Sequence, residues 1–195
     1  MDTAIYNKNV KLAFTAVLVY AISAILLPFA DLVGGLQSTA NDFGASAGGF
    51  WVVIRYLVNI AYLAGVACFA YALFNLKNTV EGQEAQDAVN LVFIGAAIAA
   101  VAAVLDFFVG GFIMGLFGIA VAVIYIIGYN KIKVAAGIPD AAKSGAALCF
   151  VAAIIMLVGA VLSLIPLAGG VLNFILCIPA FILLIIGWKK AVVTE

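Results

Sequence analysis

The sequence predicts an all-α fold: a polytopic integral membrane protein with six transmembrane helices arranged as three helical hairpins. Three observations carry that expectation. The 195-residue chain is 68% hydrophobic and 9% charged, whereas a soluble domain is about half apolar and about a quarter charged. Its apolar residues fall into six continuous runs, each near the roughly 20 residues that cross hydrocarbon as a helix. Its lysines gather between those runs in a pattern that puts them all on one side. A mean hydropathy of +1.31 says the same of the whole chain: lipid is the solvent for most of it. Continuous rather than alternating runs favour helices over a barrel, and backbone groups in lipid must bond within their own segment.

The first run, Leu12–Ala30, follows Lys8 and Lys11 as a leader's apolar region would. The LLPFADL near its end lacks a small-x-small cleavage site, so it reads as a span. After it, GGLQSTANDFGASAGG (34–49) reads as a flexible outer loop, uncharged but for Asp42. The second run is Trp51–Phe74. NTVEGQEAQD (78–87) then carries three acids and opens the third helix, where acids suit the helix dipole. The third run, Ala88–Asp106, meets the fourth, Phe112–Asn130, across Gly110-Gly111. That pair reads as a tight turn, since glycine takes positive φ at no steric cost. KVAAGIPDAAKSG (133–145) holds a turn at Gly137 to Asp140. The fifth run is Gly145–Leu164 and the sixth Gly170–Trp188, with Pro179 interrupting the sixth. That proline leaves the Ile175 carbonyl without its helical donor.

With six spans in place, Lys8, Lys11, Lys77, Lys131, Lys133, Lys143, Lys189 and Lys190 share one side. They are eight of the nine basic residues. The positive-inside rule then places both termini in the cytoplasm of a cell with this protein in its plasma (inner) membrane. The hairpins run approximately 8–77, 78–131 and 132–190 within a single transmembrane domain, 1–195. A loose internal repeat runs with them. AISAILLPFADLVGG, AAVAAVLDFFVGG and VGAVLSLIPLAGG each end in Gly-Gly, and the helices that follow end in LFNLK, GYNKIK and GWKK.

Small residues recur at helical spacing: Ala61 and Gly65, then Gly95, Ala99 and Ala103, then Gly111, Gly115 and Gly118. Such stripes let helices approach closely in lipid, and packing within the chain is the expected use. Cys68, Cys149 and Cys177 each lie in an apolar run without a CxxC pair. They read as buried free thiols.

The polar residues within reach of the spans define the candidate site. Arg55 is the only arginine, and it lies inside the second run. Asn59 and Tyr62 follow at i+4 and i+7 on the same helix face. Asp31, Asp106, Ser163 and Asn173 lie at a similar outer depth. Charged groups inside spans face the bundle interior or a wet cavity and pair with something. Two readings follow. In one, Arg55 snorkels or pairs with Asp31 or Asp106 to fix packing. In the other, the cluster lines an outer polar vestibule. Nothing recruits a catalytic centre: the chain has no His and no nucleophile motif with a base. No cofactor, metal ion or nucleic acid is expected. The function expected is that of a non-enzymatic accessory or assembly subunit acting through membrane lipids or other membrane subunits. The alternative is a small transporter or channel using the vestibule around Arg55.

The topology makes a direct prediction. Single cysteines placed at Lys131 and at Gln37 in a cysteine-free background are labelled by an impermeant maleimide from opposite sides of a sealed vesicle. Labelling of both from one side would remove the six-span reading.

Overall fold

A computed structural model describes residues 2–42, 50–105, 111–165 and 169–193, of which 28–42, 50–52, 55, 111–112 and 169–170 are described by their backbone alone. Among them there are six helices and no strand: α1 Thr3–Asp42, α2 Phe50–Lys77, α3 Gln83–Leu105, α4 Gly111–Val134, α5 Asp140–Leu162 and α6 Gly169–Lys190. Each contains a stretch long and apolar enough to cross a membrane, so the chain is a multi-pass membrane protein of six helices.

The sequence and the structure part company at several boundaries. α1 starts near the chain's beginning because Asp2 caps it: the carboxylate accepts from the amides of Ala4 at 2.9 Å and Ile5 at 3.2 Å. α1 also runs through Gly34-Gly35 to Asp42, where the sequence suggested a loop from residue 34. Glycine costs only about 1 kcal/mol in a helix, so a pair of glycines need not end one. The remainder of that loop, 43–49, lies outside the described residues. Gly111 opens α4 rather than forming a turn, and Gly110 also lies outside them. α3 begins at Gln83 with Glu84 in its first turn, as the acids of the preceding loop suggested. The turn at Gly137 is present, with φ +80°.

Each helix packs against its chain neighbours, and α6 returns to α1. Among the described residues no other pair of helices has backbones in contact, so the six form a closed ring. Neighbours are antiparallel. Gly95 faces Tyr125 while Val92 faces Gly128, and Gly145 faces Gly187 while Gly159 faces Asn173. The hairpins α1/α2, α3/α4 and α5/α6 thus form as the sequence predicts, and equivalent contacts join one hairpin to the next.

Heptad spacing sets the inward faces. α1 buries Tyr6, Val10, Ala13, Val17 and Tyr20, and α2 buries Val66, Phe69, Leu73 and Leu76. These positions alternate steps of four and three residues, the spacing of left-handed helix packing. α3 and α5 present smaller residues inward, including Ala88, Ala96, Cys149 and Ala152. Against these faces the other helices set aromatic rings. The Tyr20 ring meets those of Phe69 and Phe181, both at 5.8 Å, and of Tyr62 at 6.4 Å. Trp188 stands edge-on to Phe69 at 5.3 Å, and its indole N–H donates to the Tyr129 hydroxyl at 3.3 Å. Trp188 therefore links α2, α4 and α6 through the middle of the ring.

Glycines allow the closest approaches. A Cβ on Gly145 would collide with the Gly187 carbonyl oxygen, and one on Gly187 would lie 2.5 Å from the Cys149 sulfur. A Cβ on Gly65 would lie 2.7 Å from the Tyr20 backbone nitrogen, and one on Gly95 2.7 Å from the Tyr125 ring. Of the glycine stripe in α4, Gly115 packs on Leu164 and Ser163, and Gly118 on Ala160. Both contacts are within the chain. Pro179 lies on the exposed face of α6, which carries through it. Cys149 is buried, Cys177 is half-buried, and Cys68, expected inside, is exposed on the outer face of α2.

Gly145→Ala is expected to lower stability by about 1–3 kcal/mol, because backbone rather than a movable side chain blocks the added methyl. Gly118→Ala, where the nearest atom would be at 3.4 Å, is expected to be neutral or to stabilise by up to about 1 kcal/mol through helix propensity. Unfolding midpoints of the two variants in the same detergent decide between opposite and equal effects.

Candidate functional site

The lysine-bearing end of the ring is closed by four chain segments. After α2 the chain turns at Asn78–Gly82. The Thr79 and Val80 amides bond the Leu76 carbonyl oxygen at 3.0 and 3.2 Å, and Gly82 takes φ +86°. Val80 is thereby buried. The α4–α5 turn packs against this one, with Gly137 directly on the Glu81 carbonyl. A side chain at Gly137 would meet both a blocked space and a disfavoured φ.

The chain ends supply the other two segments. The Asn7 side-chain amide donates to the Val193 carbonyl at 2.9 Å and accepts from the Val193 N–H at 2.9 Å. The Tyr6 hydroxyl donates to the Ala191 carbonyl at 3.4 Å. These bonds stitch α1 to the segment after α6, at the one seam of the ring that joins distant parts of the sequence.

Beneath this cover lies a cavity of ≈ 30 Å³. Every helix contributes to its wall: Tyr6, Leu76, Val89, Tyr129, Cys149 and Trp188, with Ile138 from the α4–α5 turn. It has room for about two water molecules. Its polar groups already serve one another or the backbone. Tyr129 accepts from Trp188, Tyr6 donates to Ala191, and the Cys149 thiol points to the Leu184 carbonyl at 3.9 Å. No group of His, Cys, Asp or Glu among the described residues can hold a metal ion. The chamber is an apolar void under a hydrogen-bonded lid.

The opposite end holds the polar residues singled out from the sequence. Asp106 lies outside the described residues, as do the side chains of Asp31 and Arg55, and with them the pairing of Arg55 with either acid. Asn59 and Tyr62 are half-buried on α2, and Tyr62 stands edge-on to Tyr20. Ser163 and Asn173 flank the α5–α6 turn. The Ser163 hydroxyl donates to its own helix at Ala160, 2.7 Å away. The Asn173 carbonyl oxygen accepts from the Cys177 thiol at 3.5 Å, and its side chain packs on Gly159. The backbones of α5 and α6 are not neighbours of α2. The described members therefore form two local groups, one on α2 and one at the α5–α6 turn.

The residues that sequence reasoning missed are the inward tyrosines. The middle of the spans read as wholly apolar apart from Tyr62 and the Pro179 break. Tyr20 and Tyr125 are in fact buried there, and Tyr129 is buried one turn nearer the lysine-bearing end. A signal existed: Tyr6, Val10, Ala13, Val17 and Tyr20 already fall in heptad register, and Tyr125 and Tyr129 stand at i and i+4. Nothing local to the sequence pairs Asn7 with Val193.

Replacing Tyr129 by Phe leaves the Trp188 N–H buried without an acceptor. The expected cost is about 1–3 kcal/mol. In a Trp51→Phe background the variant is also expected to shift Trp188 emission. An unchanged midpoint and spectrum would mean that the bond adds nothing to the core.

Comparison with known protein families, with curated proteins and with solved structures gives no match for this chain.

Proposed function

We propose that the protein is a non-enzymatic accessory or assembly subunit of a plasma (inner) membrane, with both termini and the lysine-bearing end in the cytoplasm. It works through the outward face of the ring, by contact with lipids or with other membrane subunits. The observation that carries this reading is the filled interior. Trp188 reaches Phe69 on one side and Tyr129 on another, and the cavity at the lysine end is ≈ 30 Å³. A carrier's solute site near the midplane needs polar groups, broken helices or room. Here the space at that level is taken by rings of Tyr20, Phe69 and Phe181. The outward face, by contrast, carries large side chains on every helix, among them Ile22, Leu57, Val101, Leu116, Val158 and Ile175.

The experiment is a pair of measurements on one preparation. Affinity capture of the full chain in mild detergent is expected to bring down a membrane partner in a fixed ratio. The same protein in liposomes is expected to pass no solute above background. Solute flux that Arg55→Ala abolishes would overturn the proposal in favour of the outer vestibule.

A further inference from the structure

The second helix ends in Lys77 and the fourth carries Lys133 one residue before its end, and each ammonium is positioned by uncharged groups. Lys77 Nζ donates to the Asn90 side-chain oxygen on α3 at 3.2 Å and lies 5.5 Å from the centre of the Phe74 ring. Lys133 Nζ reaches from α4 to α5 and lies 4.4 Å over the Phe150 ring. An amide oxygen and two rings fix the positions of these cations but leave their charge in place. Lys143 differs, since it pairs with Asp140 at 3.5 Å.

Depth matters as much as charge. The apolar stretches of α2 and α4 end at Lys77 and Val134, so both ammoniums lie where hydrocarbon gives way to headgroups. Towards the membrane interior from Lys77, Tyr71 and Phe74 are 62% and 46% exposed. Phe93 of α3 packs on Phe74 at 5.8 Å. The α2–α3 cleft therefore has a fixed cation at its mouth and an exposed aromatic shelf below. A phospholipid has the matching order, an anionic phosphate above an acyl chain. In LFNLK the cation and its ring, Lys77 and Phe74, lie in one helix end, whereas Lys133 of GYNKIK takes its ring, Phe150, from α5, and Tyr129 of that segment is buried. In GWKK the aromatic residue, Trp188, is likewise buried in the interior.

We propose that the α2–α3 and α4–α5 clefts each bind the headgroup of an anionic phospholipid, with Lys77 and Lys133 as the phosphate-binding cations. This specifies a lipid class for the outward face and rests on reading that face as the working one. Cations near an anionic membrane surface gain from each lysine, and cation–π contact strengthens as water is excluded. A lysine positioned by a ring gives up less side-chain freedom on meeting a phosphate than one free in solvent.

The test is native mass spectrometry of the full chain in detergent, titrated with phosphatidylglycerol or with phosphatidylcholine of the same acyl chains. Preferential retention of up to two phosphatidylglycerol molecules is expected. Lys77→Gln and Lys133→Gln should each remove one, weakening binding roughly fivefold per lysine. Lys189→Gln with Lys190→Gln should leave retention unchanged. Three results would overturn the proposal. The first is equal retention of the two lipids by the unaltered protein, a comparison that needs no variant to fold. The second is retained preference in the Lys77→Gln/Lys133→Gln double variant. The third is an equal loss from the α6 pair, which would make bulk charge the cause. Failure here leaves the capture of a protein partner untouched, so the two proposals fall separately.

Discussion

Helices in a bilayer gain little by hiding apolar surface from one another, because lipid is as apolar as leucine. What holds them together is closeness of approach, and this structure depends on that constraint throughout. Gly145 against Gly187, Gly65 against the Tyr20 backbone, and Gly95 against the Tyr125 ring bring neighbouring helices to distances that no Cβ would permit. Dispersion is weak per atom pair but large when summed over such an interface. The division of labour among the helices follows. α3 and α5 supply Ala- and Gly-lined faces, and α1, α2, α4 and α6 supply rings that fill the space so created. Small residues alone would leave a void, and rings alone would push the helices apart.

The lysine-bearing end of the ring is closed by turns packed on one another and by the chain ends. Turns of five residues, 78–82 and 135–139, lie against each other through Gly137 and Glu81. The Asn7–Val193 pair ties the first helix to the segment after the last. Every other seam joins helices that follow each other in sequence. The α1–α6 seam joins residues more than 180 positions apart, and closing a loop that long carries an entropic cost that the contacts at the seam must offset. Two bonds to one amide, supported by Tyr6 on Ala191, are a local answer to that cost. Their place is apt, since backbone polar groups just beyond a helix end need partners wherever water is scarce.

Much of this fold was legible in the sequence because its strongest signals are compositional. Six apolar runs, lysines at alternate loops, and Gly137 at a turn are all local features, and each is present in the structure. Helix ends were less legible. Asp2 caps α1 from a position that hydropathy ignores, and Gly34-Gly35 punctuates the sequence without ending the helix. The candidate polar site was legible only as a depth. Asn59 and Tyr62 share a helix with Arg55, but depth along a helix does not say which helices are neighbours. The ring order separates α2 from α5 and α6 by backbone contact. The aromatic interior was hidden for a different reason. A tyrosine in an apolar run looks like any other bulky residue until the heptad register shows that it faces inward.

That register also explains how polar atoms are tolerated in the interior. A buried hydroxyl or indole N–H without a partner would cost about 1–3 kcal/mol. Tyr129 and Trp188 answer each other across the ring. No described buried side-chain nitrogen or oxygen lacks a hydrogen-bond partner. The pairing is geometrically demanding because it needs α4 and α6, which are not adjacent, at one height and one rotation. Apolar packing of Leu and Ala tolerates slippage by a turn, but a bond between two named atoms does not. The Tyr129–Trp188 bond thus acts as a registry pin across the ring, alongside the glycine approaches that set register between neighbours. It also fixes the heights of Lys131, Lys133, Lys189 and Lys190, which share those two helices. The interior pairing thereby couples the heights of these lysines to one another across the ring.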